Sequence, residues 1–265
     1  MSAIRGALER LGLARDAAVM VHSAFRGLAR EGLAPQAVAE ELCDYFASGT
    51  LLMPTMSWRF VKPANPEFSE LDTPSNTGIL TEVFRTTLAT ARSLHPTHSV
   101  AGIGRRAAEL LAEHHLDPTP CSARSPFGKL PIVDGWVLML GIGMDCCTLV
   151  HHGEETVAVD IYLKPASETE TYLCRDRAGQ AHTVRLRRHK FLPRDYWQFQ
   201  DRLAASGRLR LTRIGNVLCR AFAARELHRM VIVVQCNCKQ LHCTTMRLVK
   251  TQFSPQSGNT RLISA

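Results

Sequence analysis

Four polar residues near the middle of the chain, Asp145, Thr148, His151 and Glu154, follow one another at intervals of three. Residues three apart lie on one face of a helix, so the spacing predicts a helix that presents two carboxylates, a hydroxyl and an imidazole together. Histidine gains and loses a proton near neutral pH, and a carboxylate partner orients its ring. The spacing therefore predicts a proton-transfer site. The alternative is an amphipathic helix whose polar face contacts only solvent.

The residues before this set predict the strand that positions it. Residues 136–140 form a continuous apolar run that stops at the glycine turn 141–143, as in a buried strand followed by a tight turn. A second apolar run, residues 17–21, ends at His22 and Ser23. Because ligands of open α/β sheets bind at the carboxyl ends of the strands, we expect these polar groups to face a ligand.

Helical and strand-like patterns alternate along the first third of the chain. Residues 3–14 and 35–46 have helical period, while residues 17–21 and 50–55 are short apolar runs. This alternation predicts an α/β fold with a central, mostly parallel sheet flanked by helices.

The pattern weakens after residue 155. Residues 168–174 and 181–186 have the composition of two strands joined by a polar turn, which predicts a hairpin. We expect a single domain over residues 1–265, with its core at 4–235 and a divergent tail at 236–265 that is polar enough to be flexible.

Two further segments carry side chains that suit a site. Residues 56–77 form a long loop rich in Pro, Asn and Ser, and such loops are usually functional or disordered. Residues 91–104 are dense in arginine, serine and histidine. Glu82 interrupts the apolar face of a helix predicted at 78–85, so its carboxylate lies at the surface or is buried with a partner.

Composition narrows the classes of protein. The net charge of +8 favours an anionic partner, such as nucleic acid, a membrane surface or a phosphorylated cofactor. No apolar window is long enough to predict a membrane span, and the first residues lack the apolar centre of a signal peptide. We therefore expect a cytoplasmic protein whose nine cysteines are free thiols. The cluster CNCKQLHC at 236–243 fits no zinc-finger spacing, so no metal is expected.

Six motifs, in order, closely resemble the aminoglycoside 3-N-acetyltransferase family. They are HSAFRGL, GTLLMPTMSW, TPSNTGILTEVFR, ARSLHPTHSVAGIG, SPFGKL and LGIGMDCCTLVHHGEE. The resemblance spans about residues 4–155 and continues more weakly over 207–232, which is similar to the family's helical C-terminal element. It implies an antibiotic N-acetyltransferase-like α/β fold, distinct from the GNAT fold, with a smaller helical element at the C-terminus. It also implies acetyl-coenzyme A as donor, the 3-amino group of a 2-deoxystreptamine aminoglycoside as acceptor, and antibiotic resistance.

The resemblance assigns roles to individual residues. The family's Thr-x-x-His-x-x-Glu falls on Thr148, His151 and Glu154, its aspartate on Asp145 and its helix glutamate on Glu82, which implies five catalytic residues. The implied cofactor-binding residues are His22, Ser23, Phe25, Arg26, Arg92, Ser93, His95, Ser99, Val100, Ser125 and Lys129. The side chains expected to hold a cationic acceptor are Trp58, Asp72, Glu82, Glu154 and Glu155.

These residues support a mechanism of direct acetyl transfer. An ammonium has no lone pair, so a base must remove a proton, and we expect His151 to be that base. Glu154 or Asp145 orients its ring, while Thr148 or a backbone N–H after the glycine turn stabilises the oxyanion. The adjacent Cys146 and Cys147 leave a covalent route as the alternative.

Other functions compete with this interpretation. An acetyltransferase of the same fold acting on another amine fits the low acid content of residues 175–206, which hold three aspartates. A degenerate, inactive homologue fits the divergent tail. The basic stretch 183–213 suggests a nucleic-acid binder, but it has few aromatic residues for stacking. We expect a small-molecule amine as partner, no nucleic acid, no membrane, and a monomer or homodimer.

Overall fold

The computed structural model describes residues 2–240, with side chains through Cys236. Over this range the helices are α1 Ala3–Arg10, α2 Phe25–Arg30, α3 Pro35–Tyr45, α4 Ile79–Thr87, α5 Ala107–Leu111, α6 Pro126–Ile132, α7 Leu149–Tyr162, α8 Trp197–Ala205 and α9 Ala224–Gln240. The strands are β1 Ala18–Ser23, β2 Thr50–Pro54, β3 Glu67–Ser69, β4 Ala91–Arg92, β5 Val100–Gly104, β6 Trp136–Leu140, β7 Glu170–Arg175, β8 Ala181–Leu186, β9 Arg210–Ile214 and β10 Val217–Ala223.

Seven strands form the main sheet, in the order β4-β5-β2-β1-β6-β10-β9. The three central strands are parallel, with β1 between β2 and β6. The flanking pairs are antiparallel, but five of the seven strands still point the same way, because β5 and β10 each reverse direction once. The predicted α/β class with a central sheet flanked by helices is confirmed, with parallel pairing confined to the centre.

Helices cover both faces of this sheet. Along β1, Val19 and Val21 pack with α1 to α4, while Met20 packs with α5 to α9 on the other face. All three side chains are fully buried. A strand covered on both faces is apolar at every position, which is why the central strands read as unbroken hydrophobic runs.

A second, three-stranded sheet has the order β3-β7-β8. The predicted hairpin is confirmed as β7 and β8, and β3, from the long loop 56–77, joins it. Phe68 of that loop is buried with Tyr172, whereas Trp58 stays partly exposed. This sheet anchors the long loop, and the loop's other residues reach the main sheet.

The C-terminal part of the chain differs from the prediction. Residues 207–232 resembled a helical element, but 210–214 and 217–223 form β9 and β10, a hairpin that extends the main sheet. Within 207–232, which the structure describes in full, the helical residues are those of α9, from Ala224 onward. The hairpin turns at Gly215 and Asn216. A Gly-Asn pair between two strand-like runs is typical of a two-residue hairpin turn, and the prediction of a helical element does not account for it.

Some predictions fall partly outside the described residues. The tail 236–265 lies mostly beyond residue 240, and within its cysteine cluster the side chain of Cys236 alone is described. The single domain over 1–265 stays a prediction. The seven cysteines described by the structure are free thiols. Among residues 2–240, no helix combines the length and the apolar character needed to cross a membrane.

Gly141 connects β6 to the segment that carries the polar residues. Its φ is 65°, a left-handed conformation that favours glycine. A Cβ there would lie 2.9 Å from Cγ1 of Val217 and 3.2 Å from the backbone oxygen of Ala24. Only glycine therefore allows the chain to turn out of β6 beside the end of β1.

We expect Gly141→Ala to destabilise the fold more than Gly32→Ala does. Gly32 also has a positive φ of 79°, but a Cβ there meets nothing within 4 Å. Both variants pay about 1–2 kcal/mol for the left-handed backbone, and only Gly141→Ala adds an overpacking cost of roughly 1–3 kcal/mol. Urea unfolding of both variants measures the difference, and equal losses would contradict a steric role for the turn.

Candidate active site

A cavity of about 490 Å³ opens at the carboxyl ends of β1, β2 and β6. Ser23 ends β1, Pro54 ends β2 and Ile142 follows β6, and all three line the cavity. Thr148 and His151, at the start of α7, also line it. The cavity therefore lies at the sheet edge where the sequence places a ligand.

His151 is held by a buried carboxylate. Its Nδ1 lies 2.8 Å from Oε2 of Glu154, which is 2% exposed. The same carboxylate accepts hydrogen bonds of 2.9 and 3.1 Å from Nε of Arg194. A buried carboxylate needs such partners, and here an imidazole and a guanidinium share it.

This contact fixes the tautomer of His151. A carboxylate oxygen accepts, so Nδ1 donates to Glu154 and Nε2 carries the lone pair. Nε2 lies 3.4 Å from the hydroxyl of Tyr196, which also lines the cavity. Burial, and then the charge of Glu154, raise the pKa of Tyr196, so its hydroxyl stays protonated. His151 thus presents a basic nitrogen to the cavity.

A second histidine, His189, stacks on the ring of His151. The ring centroids are 4.3 Å apart, and the planes meet at 29°. Burial lowers the pKa of His189 well below its ordinary value, so it adds no positive charge beside His151. Nε2 of His189 lies 2.6 Å from Oε1 of Glu155, which fixes its ring in turn. His151 is therefore oriented by Glu154 in its plane and by His189 on its face.

Glu155 is part of the interior. Besides His189, the hydroxyl of Thr119 and the backbone N–H of Cys121 contact its carboxyl group. Burial raises the pKa of Glu155 to about 8. In the part of the chain that the structure describes, Cys121, Glu155 and His189 are the one set of three potential metal ligands, with ligand atoms within 4.8 Å of one another. Hydrogen bonds to His189, Thr119 and Cys121 already occupy both carboxyl oxygens of Glu155.

Asp145 and Thr148 line the same cavity, but the predicted single helix face is wrong in one respect. Asp145 lies in a 3-10 turn, Met144–Cys146, and α7 begins only at Leu149. Thr148 is the residue that caps α7, and its side chain makes no capping hydrogen bond. The residues spaced three apart do lie close together, but they belong to a 3-10 turn followed by a helix and not to one helix.

Some of the predicted cofactor residues line the cavity, and others are buried away from it. His22 and Ser23 line the cavity, at the end of β1. Nε2 of His22 is buried without a hydrogen-bond partner, and burial lowers the pKa of His22 to about 4. Its ring is therefore neutral, and it directs a polar atom toward the cavity region.

Arg92 is one of the predicted cofactor residues that do not line the cavity. Its guanidinium donates to the backbone oxygens of Glu70, Thr73 and Thr55 and to the hydroxyl of Ser99. Arg92 and Ser99 are both buried. The arginine fastens the long loop to β2 and has no donor directed at the cavity, so the structure gives it a framework role.

Ser93, His95 and Val100 are also inside the protein. The hydroxyl of Ser93 lies 2.8 Å from Nδ1 of His114 and accepts from the backbone N–H of Val100. Nδ1 of His95 accepts from the backbone N–H of His98 at 2.9 Å. None of the three predicted residues lines the cavity, because each side chain is buried in or beside β5.

Ser125 and Lys129 support α6. The Ser125 hydroxyl caps the helix by accepting from the backbone N–H of Gly128 at 3.0 Å. Nζ of Lys129 lies 3.0 Å from the carboxylate of Glu113 and donates to the backbone oxygen of Glu109. The SPFGKL motif thus stabilises a helix, and its cofactor role stays a prediction.

A second cavity of about 630 Å³ adjoins the first and shares Ile142 and Asp145 with it. Arg30 of α2 and Arg220 of β10 line it. Arg220 donates to the backbone oxygen of Ile142 at 3.0 Å, whereas Arg30 is exposed. The predicted residues Phe25 and Arg26 lie on the same short helix, α2, with Arg26 exposed.

The acids expected to hold a cationic acceptor do not line the first cavity, although Trp58 does. Glu154 and Glu155 are buried in the contacts described above. Glu82 accepts two hydrogen bonds from Arg85, at 2.9 and 2.6 Å. Asp72 contacts the hydroxyl of Ser69 on the second sheet's loop. Among the residues that the structure describes, these four acids therefore lie outside the lining of the first cavity, and their contact with an acceptor stays a prediction.

Sequence reasoning missed His189, Arg194 and Tyr196, which complete the surroundings of His151. They lie in the irregular segment 187–196. In the sequence this segment is part of the basic stretch 183–213, which suggests a nucleic-acid surface and not an active site. Its signal was the mixture of histidine, arginine and aromatic residues around Pro193, which suits a site loop better than a nucleic-acid surface.

Comparison with known proteins decides the family. The family model described as aminoglycoside 3-N-acetyltransferase matches residues 20–234. The chain belongs to the aminoglycoside 3-N-acetyltransferase family. This is a family of acyltransferases, and the match includes every residue around the cavity that is named above.

Individual relatives resemble the chain over different lengths. Aminoglycoside N(3)-acetyltransferase III of Pseudomonas aeruginosa is 28% identical over 165 residues, which cover 56% of this chain and 60% of the relative. The aminoglycoside N(3')-acetyltransferase-like protein YokD of Bacillus subtilis is 24% identical over 240 residues, 83% of this chain and 86% of the relative. The match to the Pseudomonas relative thus spans less than two thirds of its length.

Solved structures of the family share the fold. The crystal structure of YokD superimposes with a TM-score of 0.76 at 24% identity, covering 90% of this chain and 93% of YokD. AAC-IIIb in a binary complex with CoASH gives a TM-score of 0.73 at 24% identity, covering 96% and 97%. A mutant of AAC(3)-IVa in complex with a gentamicin gives 0.76 at 22% identity, covering 93% and 92%.

We expect the stability of this protein to fall as the pH drops below about 6.5, and His114 to account for part of the loss. Its Nε2 donates to the backbone oxygen of Pro120, its Nδ1 contacts the hydroxyl of Ser93, and the ring is fully buried. Burial lowers its pKa to about 3. The unfolded chain therefore takes up a proton that the folded chain refuses, which costs about 2 kcal/mol between pH 6.5 and pH 5.

The variant His114→Gln tests this contribution. It lowers stability at pH 7.5, but its free energy of unfolding should depend less steeply on pH between 7 and 5 than that of the wild type. Urea unfolding at several pH values measures both slopes. Equal slopes in the two proteins would show that His114 is not a source of the pH dependence.

Proposed function

We propose that this protein is an acetyl-coenzyme A-dependent N-acetyltransferase that uses His151 as general base in direct transfer to an amine. The observation that carries the proposal is the hydrogen bond from Nδ1 of His151 to the buried Glu154, which leaves the lone pair on Nε2, where the hydroxyl of Tyr196 lies 3.4 Å away. Family membership supplies the reaction class. A base with its lone pair at the acceptor site is what amine acetylation requires.

The second cavity suits the donor. Coenzyme A is an anion, and two arginines, Arg30 and Arg220, line this cavity together with the acids Glu31 and Asp145. The exposed guanidinium of Arg30 is the group that we expect to contact a phosphate. The cavity meets the first one at Ile142 and Asp145, so a thioester entering from it reaches the neighbourhood of His151. A relative of the same fold has been solved with CoASH, which agrees with this donor.

The reaction then proceeds at the junction of the two cavities. The neutral amine attacks the thioester carbonyl, the new N–C bond forms, and the C–S bond breaks. His151 Nε2 takes the proton that the amine nitrogen loses and passes it to the departing thiolate. Glu154 favours the imidazolium that forms between these steps, because its negative charge lies 2.8 Å from Nδ1.

Thr148 and the first turn of α7 suit the oxyanion. Thr148 lines the cavity, and its hydroxyl is not used as a helix cap. The amino end of a helix also carries a partial positive charge that stabilises a developing anion. Thr148 lies one helical turn before His151, and both residues line the same cavity.

The two cysteines do not support a covalent route. Burial raises the pKa of Cys147 to about 12. Burial and the charge of Asp145 raise the pKa of Cys146, whose sulfur contacts Asp145 Oδ2 at 3.9 Å. A nucleophilic thiol needs a base or a positive partner, and neither cysteine has one among the described residues.

We expect His151→Gln to lower kcat by about 10²–10⁴-fold, the contribution typical of a general base. The KM for acetyl-coenzyme A should change little, because the imidazole acts on the acceptor. Release of the coenzyme A thiol, measured with acetyl-coenzyme A and a panel of amines, gives both constants.

The matched control is His182→Gln, since His182 lies on β8, contacts Asp176 and does not line the cavity. This variant should keep wild-type rates. A His151→Gln enzyme with undiminished kcat would remove the general-base assignment. Loss of thiol release in Cys146→Ala alone would restore the covalent route.

A further inference from the structure

The first cavity has very little negative charge. A 2-deoxystreptamine aminoglycoside carries several ammonium groups, so a site that binds it needs several carboxylates. Among the lining residues that the structure describes, Asp145 is the one carboxylate. The others are apolar, aromatic or neutral and polar, apart from histidines.

The acids nearest in sequence are already neutralised. Glu154 shares its charge between His151 and Arg194. Glu82, beside the lining residue Thr81, is paired with Arg85. An ammonium group of the acceptor would have to displace a buried or bidentate partner to reach either carboxylate, which is costly.

Acidic residues are also scarce in the sequence outside the cavity lining. Residues 241–265 contain neither Asp nor Glu. The segment 175–206 contains three aspartates, at 176, 195 and 201, and none of them lines the cavity. The low acid content is therefore a property of the sequence as well as of the described fold.

Positive charge lies at the borders of the cavity. The guanidinium of Arg59 sits over the ring of Trp58, a lining residue, at 5.4 Å from its centroid. On the other border, burial lowers the pKa of Arg220, and the nearby charge of Asp145 acts in the opposite direction. Both arginines repel a polycation, and Arg220 also offsets the charge of Asp145.

The walls offer apolar and aromatic contacts instead. Trp58, Tyr196 and Phe191 line the cavity together with Met56. Phe191 is fully exposed, so its ring packs against no other side chain in the part of the protein that the structure describes. An exposed phenylalanine at the edge of a cavity gains free energy when a ligand covers it.

One buried donor lacks a partner. Nδ2 of Asn76, a lining residue, makes no hydrogen bond, while Oδ1 of the same side chain accepts from the backbone N–H of Arg59. The hydrogen bond to Oδ1 fixes the orientation of the amide, so the NH₂ group remains without a partner. A buried donor without a partner is costly, so it suits an acceptor oxygen on a ligand.

We propose that the acceptor is a monocationic primary amine with an aromatic or other apolar body and one hydrogen-bond-accepting oxygen, and not a polycationic aminoglycoside. The proposal rests on the acetyltransferase function proposed above. The ammonium lies beside Asp145, loses one proton to solvent and then transfers the next to His151 as it attacks the thioester. The apolar body lies between Trp58 and Phe191, and the oxygen accepts from Asn76.

The test compares two sets of acceptors in the thiol-release assay with acetyl-coenzyme A. The monocationic probes are phenethylamine, tryptamine and their para-methoxy or hydroxy forms, and the polycationic probes are gentamicin and sisomicin. We expect kcat/KM to be at least tenfold higher for the best monocationic probe than for either aminoglycoside. Efficient transfer to the aminoglycosides with little to the monocationic probes would overturn the acceptor class but leave the acetyltransferase intact. No transfer to any amine would overturn the acetyltransferase function itself.

Two variants separate a specific aromatic contact from a general effect. Phe191→Ala should lower kcat/KM for the aromatic amines about tenfold and leave the KM for acetyl-coenzyme A unchanged. Ile132→Ala is the matched control, because Ile132 is 72% exposed on α6 and does not line the cavity. Equal rates for Phe191→Ala, Ile132→Ala and wild type with every amine would refute the aromatic contact. Since Phe191 packs against no other side chain among the described residues, its loss leaves the fold intact, which thermal unfolding of the variant verifies.

Discussion

The active-site arrangement depends on one buried carboxylate, Glu154. It is 2% exposed and accepts hydrogen bonds from His151 and Arg194. Removal of one partner of such a buried ionic group typically costs about 3–5 kcal/mol, because the remaining charge is left without compensation. The free energy that keeps Glu154 satisfied is therefore also what holds the imidazole in its orientation and the segment around Arg194 against α7. The contacts that stabilise the fold around Glu154 are therefore the same contacts that orient the base.

Several parts of the chain converge on this carboxylate. The sheet edge supplies the end of β1, α7 supplies His151 and Glu154, and the segment 187–196 supplies Arg194, with His189 stacked on the base. The same segment places Phe191 and Tyr196 on the cavity wall. One irregular segment thus contributes both to the orientation of the base and to the shape of the acceptor site, so changes in it are expected to alter rate and specificity together.

Sequence alone predicted the α/β class, the helices and strands of the first half, and the contact between His151 and Glu154. These are local patterns: apolar runs that end at glycine, helical period, and residues three apart on α7. What it missed depends on contacts between distant residues. Arg194 reaches Glu154 across 40 positions, and Arg92 is buried by backbone oxygens of the loop around Glu70, which no spacing in the sequence indicates. The same is true of the acids expected to hold a cationic acceptor, since Glu82 and Glu154 find basic partners within the fold.

The central claim is that Glu154 fixes His151 with its basic Nε2 facing the cavity. The most direct test is nitrogen-15 NMR of the His151 ring in the folded protein, at a pH where the ring is neutral, with the signals assigned by comparison with His151→Gln. We predict that Nδ1 carries the proton and that Nε2 is bare. In Glu154→Gln this preference should weaken. A neutral ring protonated at Nε2, with a bare Nδ1 beside Glu154, would contradict the account, because it would leave no lone pair facing the amine.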